Sequence, residues 1–207
     1  MILRQLKISL LERPFYLSQE TKLMNKIPHA RNFATKKHKY QLRKDCKTPY
    51  WHHLRMVVKN LQNLGIKNQD ILCAGWLHDT IEDTNTDFDD LKELFGTTTA
   101  KIVSQVTKDT RIPYNKREYL YLQQLRKASW QAKAVKLGDI LANISDMKNS
   151  GYSNQKKKNQ VKDKIKYLLA IKPGISKNKS QMPGLQKIES QLNDLLTQYD
   201  QKRISLT

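Results

Sequence analysis

The sequence predicts an all-α protein. Apolar residues recur at three- and four-residue spacing along most of the chain, no convincing alternating strand interrupts them, and caps and glycine stops punctuate them. At 207 residues and 38% hydrophobic, the chain fits one domain of ordinary size with a real core.

The elements follow in order. A helix is expected from about Asn25 to His38, followed by a polar loop rich in Lys and Arg. Thr48-Pro49 reads as a cap and a first-turn proline. Behind it Leu54, Val57, Val58, Leu61 and Leu64 keep helical spacing, and Gly65 is the expected stop. Asn68 or Asp70 opens the next helix, which runs through Leu77 and Ile81. Asp87 to Phe95 forms a short helix closed by Gly96, and another passes through Ile102 and Val106. Tyr119 to Leu125 belongs to a further one. Ala132 to Met147 carries Leu137, Ile140, Leu141, Ile144 and Met147 on one stripe.

After Asn149-Ser150-Gly151 the composition changes. Gln155 to Gln160 holds three consecutive lysines, and an amphipathic helix then reaches about Ile171. Pro173-Gly174 is expected to break it, and a last helix spans about Leu185 to Tyr199. Residues 1–24 read as a basic N-terminal extension, 25–151 as the core, and 152–207 as basic helices completing the same domain.

The formal net charge is +19, and its distribution is informative. Residues 1–60 carry 14 basic and 3 acidic side chains, residues 61–150 carry 12 of each, and residues 151–207 carry 12 and 4. Basic ends flank a neutral middle that holds most of the acids. Such a surface favours anionic partners, whether nucleotide, nucleic acid or acidic lipid. No apolar stretch approaches the ~20 residues needed to cross a bilayer. The opening MILRQLKISLLERPF lacks the apolar core of a signal peptide; an amphipathic targeting or partner helix there is the lesser alternative. Cys46 and Cys73 support no disulfide framework, and Cys73 is expected as a reduced core residue. A reducing, cytoplasmic setting follows.

The segment from Ile71 to Thr84 carries the chemistry. On a helical wheel its apolar residues cover nearly the whole circumference, as in a buried helix. One arc, formed by His78, Asp79, Glu82 and Asp83, is the exception. Three carboxylates and an imidazole on a buried helix are costly without a compensating cation, and a divalent metal is the simplest. A solvated helix end is the alternative. His53 sits beside the apolar stripe of the preceding helix and is a candidate ligand, whereas His52 points away from it. Asp139 and Asn143 lie four apart, yet the wheel places Asp139 opposite the apolar stripe, as on a solvated face, although Val135, Gly138 and Ala142 near that side suggest contact with another helix. Arg43 and Lys44 lie in a basic loop suited either to phosphate or merely to water.

These pieces, in this order, resemble the HD-domain superfamily, and more narrowly its stand-alone Rel/Spo-type hydrolases of the alarmone (p)ppGpp. His38, Gln41, Arg43-Lys44, Pro49-Tyr50 and His53 match the family's first block. Leu77 through Thr84 matches its Leu-His-Asp-x-x-Glu-Asp-Thr run. Phe95-Gly96, Val106-Thr107-Lys108 and Lys136 to Asn143 complete the series. The resemblance implies an HD-type helical bundle, with His53, His78, Asp79 and Asp139 binding one divalent ion, typically manganese. It implies Glu82 and Asp83 as catalytic acids, with Arg43, Lys44 and Asn143 near a purine nucleotide. Lys136 is a further candidate for balancing substrate charge.

The chain departs from the family at Leu54, Gly138, Ile140 and Ala142. Ile140 stands where a basic residue is usual, which keeps a second substrate open: another 3′-phosphorylated nucleotide, or NADPH. A degenerate-site nucleotide or RNA binder using the basic ends is the third reading, ranked below the enzyme because the His53, His78, Asp79, Asp139 and Glu82-Asp83 set is intact.

Overall fold

The structure is a computed structural model that describes residues 25–207; the basic extension expected over residues 1–24 lies outside them. The described residues are helical and contain no strand beyond an isolated antiparallel bridge between Leu42 and Pro49. The helices are α1 (Lys26–Lys37), α2 (Trp51–Asn63), α3 (Gln69–Leu77), α4 (Thr80–Asp83), α5 (Phe88–Phe95), α6 (Thr97–Val106), α7 (Tyr114–Lys127), α8 (Trp130–Asp146), α9 (Asn154–Lys177) and α10 (Leu185–Thr197).

Local chemistry sets the ends. Asn68 accepts from the N–H groups of Asp70 and Ile71 and so starts α3. Asp87 and Asp90 form a reciprocal capping box at α5. Gly65 and Gly96 adopt φ +87° and +89°, a conformation that only glycine takes without strain, where α2 and α5 end.

Helix α8 is the axis of the bundle. Nearly every residue from Ala132 to Ala142 is buried, with α2, α3, α6, α9 and α10 packed around it. Two glycines let backbones approach. A Cβ on Gly138 would stand 3.2 Å from the Val57 carbonyl of α2, and one on Gly75 would stand 2.7 Å from the Leu61 side chain. Asn60 then donates to the Gly138 carbonyl at 3.0 Å, tying α2 to α8 through a buried polar contact. Because His53 lies seven residues before Asn60, the same face of α2 presents His53 to α8.

Three expectations are corrected. The helix expected from Asn68 through Ile81 is interrupted at His78-Asp79 and restarts as the single turn α4. The Thr80 hydroxyl takes the Leu77 carbonyl at 2.7 Å, and Asp79 opens to φ −100°, ψ −4°. Pro173-Gly174 does not break α9, which continues to Lys177. The proline removes only the bond to Leu169, a residue on the exposed side, and Gly174 is where the Lys133 side chain of α8 crosses, in the space a Cβ would take. Thr48 does not cap α2; its hydroxyl instead donates to Asp45 at 2.6 Å, and Pro49 precedes the first turn.

Candidate active site

Three segments converge on one buried point. His53 comes from α2, His78 and Asp79 from the break after α3, and Asp139 from the middle of α8. His53 and His78 are each about 97% or more buried, and Asp139 is 4% exposed. The Nε2 atoms of the two histidines face each other at 3.4 Å. Asp139 Oδ1 lies 3.2 Å from the first and 3.7 Å from the second. Asp79 Oδ2 lies 2.9 Å from His78 Nε2 and 3.6 Å from His53 Nε2. The reading of Asp139 as solvated, drawn from the wheel, is thus wrong: the face of α8 opposite its apolar stripe is covered by α2 and by the His78 turn.

The donor set suits a divalent cation. His78 Nδ1 lies 3.0 Å from the Gly75 carbonyl, which fixes the proton on Nδ1 in the neutral ring and turns the Nε2 lone pair into the cluster. His53, His78 and Asp139 form a group whose ligand atoms all lie within 4.8 Å of one another. Two facing imidazole nitrogens beside two carboxylate oxygens make a mixed donor set of the kind that holds a 2+ ion. His53 Nδ1 and His38 Nε2 are buried without a hydrogen-bond partner among the described residues.

Without an ion, one proton serves the cluster. Burial works against a charged His78, but the adjacent Asp79 and Asp139 carboxylates outweigh it and push its pKa up to about 10. Burial lowers the pKa of His53 despite Asp139 beside it. Asp79 is held below the usual carboxylate range: burial opposes this, and His78 overcomes it. Asp139 is likewise depressed against its burial, chiefly by Lys136.

The second acidic pair stands at the mouth. Glu82 Oε2 accepts from the backbone N–H of Lys108 at 2.9 Å, and burial raises its pKa more than that bond lowers it. Asp83 Oδ2 accepts from Gln41 Nε2 at 3.1 Å, and Gln41 Oε1 lies 2.6 Å from His38 Nδ1. Both acids and both aspartates of the cluster line a cleft of about 330 Å³.

Five cations share the lining of that cleft with tyrosines and amides. Arg43, Lys44, Lys136 and Asn143, all named from the sequence, are in its wall, and Lys108 and Lys164 join them. Their availability differs. Arg43 is 8% exposed, donates to Asp146 at 2.8 Å and Asn143 at 3.3 Å, and lies over the Tyr50 ring. Asn143 in turn donates to Asp139. Lys44 reaches toward the Tyr152 ring, and burial beside Arg43 lowers its pKa. Burial beside Lys136 brings Lys164 down to about 8. Tyr121 and Tyr167, packed edge to face at 5.4 Å, sit beneath the ammonium groups of both Lys108 and Lys136. Such ring faces offset part of the cost of crowding cations.

Lys164, Tyr121 and Tyr167 were missed from the sequence. The signal for Lys164 was present: it interrupts the inward stripe of Val161, Leu168, Ile171 and Ile175 at helical spacing. Ile140, the departure that left the substrate open, is fully buried and does not line the cleft. His52 is half-buried and stacks on Trp51, away from the cluster.

A family model described as HD domain matches residues 30–176. A curated relative from Xenopus tropicalis, guanosine-3′,5′-bis(diphosphate) 3′-pyrophosphohydrolase MESH1, is 42% identical over 135 residues, 63% of this chain and 75% of the relative. The Homo sapiens protein of the same name is 40% identical over 120 residues, 57% of this chain and 67% of the relative. Among solved structures, one titled as a metazoan ortholog of SpoT that hydrolyzes ppGpp superimposes with a TM-score of 0.71 at 28% identity. It covers 84% of this chain and 94% of that one.

Proposed function

The chain belongs to the HD domain family, and on that premise we propose that it hydrolyses the 3′-pyrophosphate of (p)ppGpp, giving GDP or GTP and pyrophosphate. One observation carries the reading. One cleft is lined by Asp79 and Asp139 of the buried cluster, by Glu82 and Asp83, and by the cations Arg43, Lys44, Lys108, Lys136 and Lys164. That lining suits a polyanionic substrate brought against a metal centre. The names of the relatives point to the same substrate.

His53, His78, Asp79 and Asp139 are the proposed ligands of one divalent ion, and the mixed imidazole and carboxylate set suits manganese. A bound ion supplies Lewis acidity toward a phosphoryl oxygen and toward water. Glu82 and Asp83 would orient the attacking water and move its protons. Burial keeps Glu82 more basic than a surface carboxylate, and Gln41 holds Asp83 in place. The lysines would offset the charge that develops on the phosphoryl oxygens. Asn143 and Arg43 form a braced edge beside Asp139 and are proposed to contact the nucleotide.

No helix of the described residues is long and apolar enough to cross a membrane. Cys46 and Cys73 are both free thiols, consistent with a reducing cytoplasmic setting. The proposal is tested by incubating the protein and an Asp79→Ala variant with ppGpp and Mn²⁺. Turnover by the wild type alone is expected; an inactive wild type that still binds Mn²⁺ would remove the alarmone assignment.

A further inference from the structure

Lys136 lies one turn before Asp139 on α8, with its side chain only 11% exposed. Its ammonium donates to Asp139 Oδ2 at 2.8 Å. The other oxygen, Oδ1, is the one turned toward His53 and His78. Behind Lys136, the Tyr121 and Tyr167 rings stand 5.3 and 5.2 Å from the ammonium. The Tyr121 ring is itself anchored by its hydroxyl, which donates to the Val106 carbonyl at 2.6 Å. A lysine this deep is tolerated because a carboxylate and two ring faces receive its charge.

We propose that Lys136 is a positioning residue for the metal centre. By occupying Oδ2, it fixes the Asp139 carboxylate with Oδ1 toward the two histidines, so that the ion meets one preoriented oxygen. Asn143 donates to Oδ1, so without Lys136 the carboxylate is held from that oxygen alone and Oδ2 loses its restraint. Partners that orient a ligand in this way are worth roughly 10–100-fold in metal affinity. The inference rests on the reading of His53, His78, Asp79 and Asp139 as ligands. It competes with the role drawn for Lys136 from the sequence, that of meeting substrate charge.

The test omits nucleotide altogether. Mn²⁺ is titrated into the wild type, Lys136→Met and Lys136→Gln, with the loss of the free Mn²⁺ paramagnetic resonance signal reporting binding and circular dichroism reporting folding. Lys136→Met is expected to weaken Mn²⁺ binding roughly 10–100-fold. Lys136→Gln, whose amide can still donate to Oδ2, recovers part of the loss and carries the comparison if the methionine variant does not fold. Folded variants that bind Mn²⁺ as tightly as the wild type overturn the positioning role. A wild type that takes up no Mn²⁺ overturns the ligand reading and this role together.

Discussion

The phenol of Tyr50 donates a 2.6 Å hydrogen bond to Asp79 Oδ2, the same oxygen that lies 2.9 Å from His78 Nε2. The entrance of α2 therefore supplies both His53 and, three residues earlier, the group that orients a carboxylate arriving from the next helix. The Tyr50 ring is held by His38, stacked at 4.9 Å, so its hydroxyl is directed by packing. Tyr50→Phe keeps that packing and deletes the donor. Mn²⁺ affinity measured by calorimetry should fall about tenfold, and an unchanged affinity would contradict the role of Tyr50.

Gln41 joins His38 to Asp83 as a bridge. Gln41→Ala leaves Asp83 without that restraint while touching none of the proposed ligands. Steady-state kinetics should show kcat reduced about tenfold to a hundredfold with Mn²⁺ affinity preserved. A parallel loss of metal binding would place Gln41 in the fold rather than in the chemistry.

Glu82 sets the acid side of the pH profile. Burial raises its pKa, so it stays protonated to a higher pH than an ordinary glutamate and accepts a proton only above that point. The acid limb of kcat/KM should therefore lie above the ordinary value of about 4.3. Glu82→Gln should lower turnover roughly 10²–10⁴-fold with Mn²⁺ still bound. A variant with full activity would exclude Glu82 as the proton acceptor.

Uptake of the ion should release a proton. In the metal-free protein His78 is raised to about 10 and is charged at pH 7, whereas a ligand imidazole must be neutral. Calorimetry in buffers of different ionisation enthalpy should show about one proton released per Mn²⁺ at pH 7; heats independent of buffer would contradict it. His78, Asp79 and Asp139 also shape stability without metal. The raised His78 contributes fully below about pH 6.5 and is lost as pH rises toward 10; the depressed Asp79 and Asp139 contribute above about pH 4 and are lost as pH falls. The melting temperature of the metal-free protein should gain from this cluster chiefly between those limits.

Helix α8 passes α2 closely where Gly138 has no side chain. Gly138→Val drives a branched side chain against the Val57 carbonyl and should cost about 1–3 kcal/mol in urea unfolding. An unchanged midpoint would show that the two helices have slack.

How much of this was legible beforehand depends on the residue. Gly65, Gly96, Asn68 and Asp87 announced their helix ends because caps and stops are local chemistry. His53 and the burial of His78 followed from apolar periodicity in their own helices. Asp139 could not be read that way, because what buries it is α2, far off in sequence, and only its place in the family pattern singled it out. The break at His78-Asp79 escaped because the wheel presumes a continuous helix, whereas the Thr80 hydroxyl ends it. The persistence of α9 through Pro173 escaped because a proline on the solvent side of a well-packed helix costs one bond that water can replace.

Phosphorus NMR of ppGpp incubated with the protein and Mn²⁺ reads the bond that is cleaved. Inorganic pyrophosphate and GDP should appear in equal amounts, with the 5′-diphosphate intact, and no conversion should occur in chelator or with Asp79→Ala. Release of orthophosphate, loss of the 5′-phosphates, or turnover that persists in chelator would contradict metal-dependent 3′-pyrophosphate hydrolysis.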